Sequence, residues 1–404
     1  MKIAVLGGGA AGFFSAISAK IHHPHAEVTL FEKSQKLLSK VKISGGGRCN
    51  VTHACFDPKE LAGYYPRGGG FLKKAFPQFH AQHTFDWFEE RGVKLKTYAD
   101  GCVFPLANDS QVIIDCFLAE AKKRNIQIEI GSALENISIL PSGKINSTFK
   151  NEVITYDKMI IAIGGQPKKS NLKWLEDLGL QIIDPVPSLF TFNMPKNPIA
   201  ELMGNVVEKT SAKIEGTKFQ GRGPLLVTHW GMSGPAIITL SAWAARYLEA
   251  QKYEFALLVN WLDDQKEDQL KETILHIQKE QGNKMVANAN PFPMTNRLWQ
   301  FLMLKFGVPK EHRWRDVQGK MLNRLINGLL NDRYLVSGKT TFKEEFVTAG
   351  GVDLGQIDVK TMQWKDQRNI AFAGEVMDID GVTGGFNFQS AWTTAWIAGK
   401  YIGN

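Results

Sequence analysis

The apolar run Lys2-Ile3-Ala4-Val5-Leu6 is cut off by the glycine turn Gly7 to Gly12, and a longer stretch from Ala10 to Ile21 follows, dense in Ala, Ile and Phe. A short continuous apolar run bounded by a turn reads as a strand buried on both faces, and the longer stretch reads as a helix. A second strand is predicted at Glu27 to Glu32. Strand, tight turn, helix and strand make a βαβ unit, whose right-handed crossover opens a parallel, doubly wound sheet. Further strand-like runs at Ile126 to Ile130, Leu134 to Leu140 and Lys158 to Ile163 are expected to extend that sheet.

From Pro185 to about Val259 the texture changes to short alternating segments with Pro and Gly turns, such as Pro224 to Thr228, the pattern of a small β domain. Between Asp263 and about Leu335 the spacing becomes helical, interrupted at Asn288 to Pro293. Strand-like and glycine-turn texture returns from Phe346. The expected organisation is α/β: a discontinuous Rossmann-like domain over 1–188 and 347–404, an inserted β domain over 189–262 and 336–346, and a helical insert over 263–335.

Length agrees, because 404 residues exceed the roughly 100 to 200 expected of one domain. Hydrophobic residues at 44% and charged residues at 22% are ordinary for a globular chain and argue against disorder. The net charge of +8 raises the question of a polyanion partner. Basic residues occur in scattered pairs such as Lys73-Lys74, Lys122-Lys123 and Lys168-Lys169, so a solvated surface is the expectation and a nucleic-acid partner is not. Four irregularly spaced cysteines make neither a disulfide scaffold nor a zinc site, and no metal is expected. Without a signal-peptide pattern or an apolar stretch near the ~20 residues of a membrane span, a soluble cytoplasmic protein is expected.

The chemistry begins in the glycine turn, which matches G-x-G-x-x-G at Gly7, Gly9 and Gly12, with Ala10 and Ala11 inside it. Its glycines allow a tight turn, close approach to a pyrophosphate, and close packing of helix on strand. The helix that follows aims free N–H groups and its positive dipole end at phosphate charge. Glu32 lies twenty residues past Gly12, at the spacing where a carboxylate accepts ribose hydroxyls and repels a 2′-phosphate.

The far end of the chain selects among dinucleotides. Ile370 to Phe372 runs into Gly374-Glu375, and Gly384-Gly385-Phe386-Asn387 precedes an apolar helix from Phe388 to Ile402. A strand ending in Gly-acid suits the ribitol of FAD, and the helix N-terminus suits the flavin edge that becomes negative on reduction. A simple NAD dehydrogenase needs neither.

The segments Lys42 to Thr52 (KISGGGRCNVT), Thr228 to Pro235 (THWGMSGP) and Thr348 to Val352 (TAGGV) resemble the signatures of a bacterial flavoprotein family described as aminoacetone oxidase-like or bile-acid-inducible NAD(P)/FAD-dependent oxidoreductases. Gly374 to Asp378 and Gly384 to Asn387 resemble it too, so the resemblance covers nearly the whole chain. It implies a two-part Rossmann-like FAD domain interrupted by a β-barrel-like domain carrying a helical insert. It places Gly7, Gly9, Gly12, Glu32, Lys33, Ser44, Gly47, Arg48, Cys49, Asn50, Gly164, Glu375 and Asn387 around FAD. The neighbouring Ala10, Ala11, Ala162, Gly165, Gly374, Gly384, Gly385 and Phe386 go with them. His53 and Cys102 depart from the residues usual there, Asn and Arg.

The expected function is FAD-dependent oxidation or reduction of a small organic substrate, with NAD(P)H as a transient donor or oxygen as redox partner. No second G-x-G-x-x-G stands between a strand and a helix. Cys49 and Cys55, with five residues between them, are spaced too widely for the helical redox pair of disulfide reductases. Cys49 and His229 are the candidate reactive side chains, and Tyr64, Tyr65 and Arg67 are candidates to line a pocket. The rival expectations are an RNA-associated flavoprotein of the tRNA-modifying kind, and a FAD-binding protein without turnover.

Overall fold

The computed structural model describes residues 1–263, 265–340 and 347–404. Asp264 and residues 341–346, where the expected boundary between 346 and 347 falls, lie outside the described residues. The chain divides into two compact units, Met1–Ser188 with Lys343–Asn404, and Leu189–Phe342.

The first unit is built on a five-stranded parallel sheet. Its strands are β1 (Lys2–Leu6), β2 (Glu27–Phe31), β3 (Gln127–Glu129), β4 (Lys158–Ile161) and β5 (Ile370–Phe372), in the order β5-β4-β1-β2-β3. Ile3, Ala4 and Val5 in the central strand are fully buried, as a strand covered on both faces requires. The N-terminal helix Ala10–His22 packs on the C-terminal helix Phe386–Tyr401 at Gly399, where a Cβ would come within 2.5 Å of the Ser15 carbonyl oxygen. Phe14 fills the space around this contact, with its ring centroid 4.8 Å from that of Trp87 and 5.4 Å from those of Phe79 and Trp392. Full burial of such a ring contributes about 1.5–3 kcal/mol.

One expected sheet strand belongs elsewhere. Leu134–Ile139 pairs antiparallel with Ile145–Phe149, which pairs with Glu152–Tyr156 in a separate three-stranded meander. The reason is in the side chains: Glu135, Asn136 and Ser138 are exposed, whereas a parallel-sheet strand is covered on both faces. The turn after it, with Gly143 at φ +80° and its N–H donating to the Leu140 carbonyl at 2.8 Å, returns the chain as a hairpin.

The second unit holds a seven-stranded antiparallel sheet, in the order Asp332–Ser337, Glu254–Asn260, Val206–Ile214, Gln220–Val227, Gly231–Ser233, Thr191–Asn193 and Lys339–Thr340. Helices Glu267–Gln281, Asn296–Lys305 and Gly319–Leu330 are spliced between two of its strands. Trp261, Trp299 and Trp314 sit in its core. Asp332, nearly fully buried, accepts hydrogen bonds from Trp261 Nε1 (2.9 Å) and Tyr334 OH (2.6 Å) and pairs with Lys305, so its charge is compensated.

Candidate functional site: a glycine-lined cleft

The first part of the site lies at the carboxyl ends of β1 and β2. Gly7 has φ +109°, and a Cβ there would lie 2.3 Å from the Ala162 carbonyl oxygen. A Cβ on Gly12 would lie 1.7 Å from the Gly7 carbonyl oxygen, so only glycine lets the helix approach the turn this closely. Gly9 differs: its φ of −94° suits any residue, and a Cβ there would meet nothing within 4 Å. Gly9 caps the helix without a side-chain hydrogen bond, and the first turn has no acidic residue. The leading N–H groups therefore have no capping side chain and no acid in the first turn, the arrangement that suits an anion.

Glu32 follows β2 directly. Its carboxylate accepts from the N–H of Gly8 and the N–H of Ser34, each at 2.8 Å. It lines a cavity of about 540 Å³ together with Gly7, Lys33, Asn136 and Trp174. In an open parallel sheet this crevice beyond the strand ends is where nucleotides bind. Lys33 is exposed.

The loop Ser44 to Asn50 forms a second wall. Ser44 has φ −60° and ψ 147° within an otherwise helical stretch, which breaks the helix, and Cys49 N–H donates back to the Ser44 carbonyl at 2.9 Å. Arg48 lies 4.3 Å from the Phe104 ring centroid and donates to the Gly45 carbonyl, while Asn50 Oδ1 accepts from Val103 N–H at 3.2 Å. Ser44, Arg48, Cys49 and Asn50 thus fix the loop itself, and Gly46 and Gly47 face open space.

The C-terminal motif closes onto both walls. A Cβ on Gly374 would lie 2.7 Å from the Ala11 Cβ, and one on Gly385 would lie 2.4 Å from the Thr52 carbonyl oxygen. Glu375 accepts from Thr348 N–H (2.8 Å), pairs with Lys40 (2.7 Å) and packs against Gly165. Gly164, beyond β4 and Ala162, is open. The C-terminal helix repeats the pattern of the first one: Gly385 caps it without a side-chain bond, and its first turn has no acid. The Asn387 amide is bonded both ways to the Gly381 backbone at 2.8 and 2.9 Å. That side chain braces the loop just before the helix.

Around this helix start stands an aromatic cluster. The Phe386 ring packs on Tyr64 (4.3 Å, 12°) and on His53 (4.6 Å, 27°), which also touch each other at 5.8 Å, and Tyr65 OH donates to the Phe386 carbonyl at 2.7 Å. The His53 ring lies 3.2 Å through Nδ1 from the Gly384 carbonyl, and burial lowers its pKa. Arg67 pairs with the fully buried Asp380, which also accepts from Ser188 Oγ at 2.7 Å. Sequence reading did not find His53 or Asp380 as site residues; their partners lie hundreds of positions away, and the one available signal was the departure at His53.

The two candidate reactive side chains differ in setting. Cys49, in the loop of the second wall, is fully buried, and burial pushes its thiol up to about 12, which disfavours the thiolate at neutral pH. All four cysteines are free. His229 lies in an exposed turn of the second unit, with its ring 4.2 Å from that of Trp230. Among the described residues no cluster of His, Cys, Asp and Glu could hold a metal ion, and no helix is long and apolar enough to cross a membrane.

The family model for the HI0933-like protein Rossmann domain matches residues 1–401. The chain belongs to this HI0933-like family. The resemblance read from the motifs holds, and the class is that of FAD-dependent oxidoreductases with an α/β Rossmann-like fold. The HI0933-like chain is 24% identical to a 3-dehydro-bile acid delta(4,6)-reductase of Clostridium scindens, over 99% of this chain and 98% of that one. It is 29% identical to a ribosomal RNA dihydrouridine synthase of Escherichia coli, over 98% and 96%. A solved 3-ketosteroid-delta4-(5alpha)-dehydrogenase from Rhodococcus jostii RHA1 shares the fold, with TM-score 0.51 and 10% identity over 100% and 96% of the two chains.

Proposed function

We propose that this HI0933-like protein uses FAD to reduce a carbon–carbon double bond conjugated to a carbonyl, with NAD(P)H as the electron donor. The observation that carries the reading is the convergence of two uncapped, acid-free helix starts on one glycine-lined cleft, with Gly374 against Ala11. The open positions at Gly9, Gly46, Gly47 and Gly164 are where a bound dinucleotide needs backbone without side chains. The names of the two relatives share one bond type: a bile-acid delta(4,6)-reductase and a dihydrouridine synthase both saturate a ring C=C next to a carbonyl.

When bound, FAD supplies the two-electron chemistry. The N–H groups at the N-terminal helix would hold its pyrophosphate, and Glu32 would exchange its bonds to Gly8 and Ser34 for ribose hydroxyls. The start of the C-terminal helix would favour negative charge beside it. Saturating the double bond also needs a proton at the carbon next to the carbonyl. His53, whose pKa burial lowers, and the Tyr64 hydroxyl stand beside that helix start, their rings packed on Phe386.

The test is purification with bound flavin, anaerobic mixing with NADH and with NADPH, then transfer to a conjugated cyclic enone and to a uridine-containing oligonucleotide. Flavin bleaching by a nicotinamide followed by re-oxidation by either acceptor is the expected result. A reduced flavin that reacts with oxygen and with neither acceptor overturns the reading in favour of an oxidase.

A further inference from the structure

The charge of the chain is segregated. Residues Gly282 to Asn331 contain eight basic side chains (Lys284, Arg297, Lys305, Lys310, Arg313, Arg315, Lys320 and Arg324) and two acidic ones, Glu311 and Asp316. The helix Glu267–Gln281 just before them is rich in acids. All eight basic residues are exposed, and Lys305 is engaged by Asp332.

The fold gathers several of them that are apart in sequence. Met285 pairs with Arg313 in an antiparallel bridge, and Trp314 N–H and Arg315 N–H donate to the Lys284 and Gly282 carbonyls, each at 3.1 Å. Lys284, Arg313 and Arg315 therefore stand side by side, with Asp316 3.8 Å from Arg315 as partial compensation. Lys320 and Arg324 lie one turn apart on the helix Gly319–Leu330. Like charges at that spacing cost a helix a few tenths of a kcal/mol, so solubility alone does not favour the arrangement.

We infer that the segment Gly282–Asn331 is a docking face for the phosphate backbone of RNA. Four of the eight are arginines, two of them (Arg313 and Arg315) beside Lys284 at the bridge, and guanidinium groups pair with phosphate in two-pronged fashion. An anionic membrane fits less well, because Trp299 and Trp314 of this segment are fully buried, and its exposed large apolar side chains, Met285 and Leu304, are separated in sequence and include no aromatic ring. The inference rests on the proposed reaction only for the ring to be reduced, which would then be a uracil presented within RNA. The sequence expectation of a merely solvated surface saw isolated pairs, since the bridge that joins 284 to 313 is invisible in the chain order.

The test uses full-length, flavin-loaded protein and a fluorescein-labelled, uridine-rich RNA stem-loop, with binding measured between about 50 and 200 mM salt. Wild type is expected to bind with steep salt dependence. The triple reversal K284E/R313E/R315E should weaken binding at least tenfold and reduce the log–log slope by about 2 to 3, since each lost phosphate contact removes about 0.7 to 0.9. The double reversal K73E/K74E, on the first unit, should change neither. An unchanged flavin spectrum and thermal midpoint exclude misfolding of the triple variant. Absence of RNA binding at low salt, an unchanged slope in the triple variant, or binding to phosphatidylglycerol vesicles in place of RNA overturns the inference. Reduction of a free enone by a protein that binds no RNA would leave the proposed reaction standing without this face; RNA binding without uridine reduction would do the reverse.

Discussion

Gly9 and Gly12 sit three residues apart in the same turn, yet only one of them should cost the apoprotein its stability when replaced by alanine. At Gly9 the backbone conformation suits alanine and the new methyl meets no protein atom within 4 Å. The cost to the apoprotein is that of a poorer helix cap, below about 1 kcal/mol. The methyl nonetheless occupies the space in front of the free N–H groups. Displacing a pyrophosphate from two such donors forfeits about 1.5–3 kcal/mol each, as hydrogen bonds to charge do, or a 10²- to 10⁴-fold loss of FAD affinity. At Gly12 the methyl would fall 1.7 Å from the Gly7 carbonyl oxygen, backbone against backbone, and the helix must move off the strand. Overpacking of this kind costs about 3 kcal/mol or more. Thermal unfolding of the apoproteins and FAD titration by quenching of flavin fluorescence separate the two. Gly9→Ala should unfold with wild-type apoprotein and fail to retain flavin, and Gly12→Ala should fail at both. Flavin retention by Gly9→Ala with wild-type affinity would refute the placement of the pyrophosphate.

Other outcomes follow from the buried groups. Arg67→Met strands the Asp380 carboxylate in the interior and should destabilise the protein by about 3–5 kcal/mol in urea melts, with part recovered in R67M/D380N; a loss under about 1 kcal/mol would mean the pair does not hold the loop. The thiols, raised to about 11 or 12 by burial, leave about one in a thousand or fewer ionised at pH 8, so native protein should show almost no fast reaction with a disulfide reagent, while urea-unfolded protein shows all four. Burial lowers the pKa of His22, His53 and His80, so as pH falls below about 6.5 the unfolded chain takes up protons first and stability declines. Thermal midpoints between about pH 7.5 and 5.5 should drop, and His53→Gln should flatten part of that slope; a midpoint that rises on acidification contradicts the burial of these rings.

What could be read in the chain was whatever is local. The first βαβ unit, its glycine turn and Glu32 lie within a short span, and each has a backbone reason that a sequence displays. The C-terminal Gly-Glu and Gly-Gly-Phe-Asn motifs were legible for the same reason. The strand at Leu134 was misplaced because its apolar residues were weighed without the exposed Glu135, Asn136 and Ser138 between them. Asp380 with Arg67, and Phe386 packed on Tyr64 and His53, are long-range pairings that no spacing rule encodes. The basic face is of the same kind, since the bridge between Met285 and Arg313 assembles it.

The contact of Gly374 with Ala11 also sets a schedule for synthesis. The central strand β1 is made first, but its neighbour β4 waits until residue 158, the edge strand β5 until residue 370, and the second helix start until residue 386. Parallel pairings of such separation form slowly and leave apolar edges open meanwhile. A nascent chain therefore carries its glycine turn long before it owns a cleft, and loading of the cofactor is a late event that certifies a finished molecule.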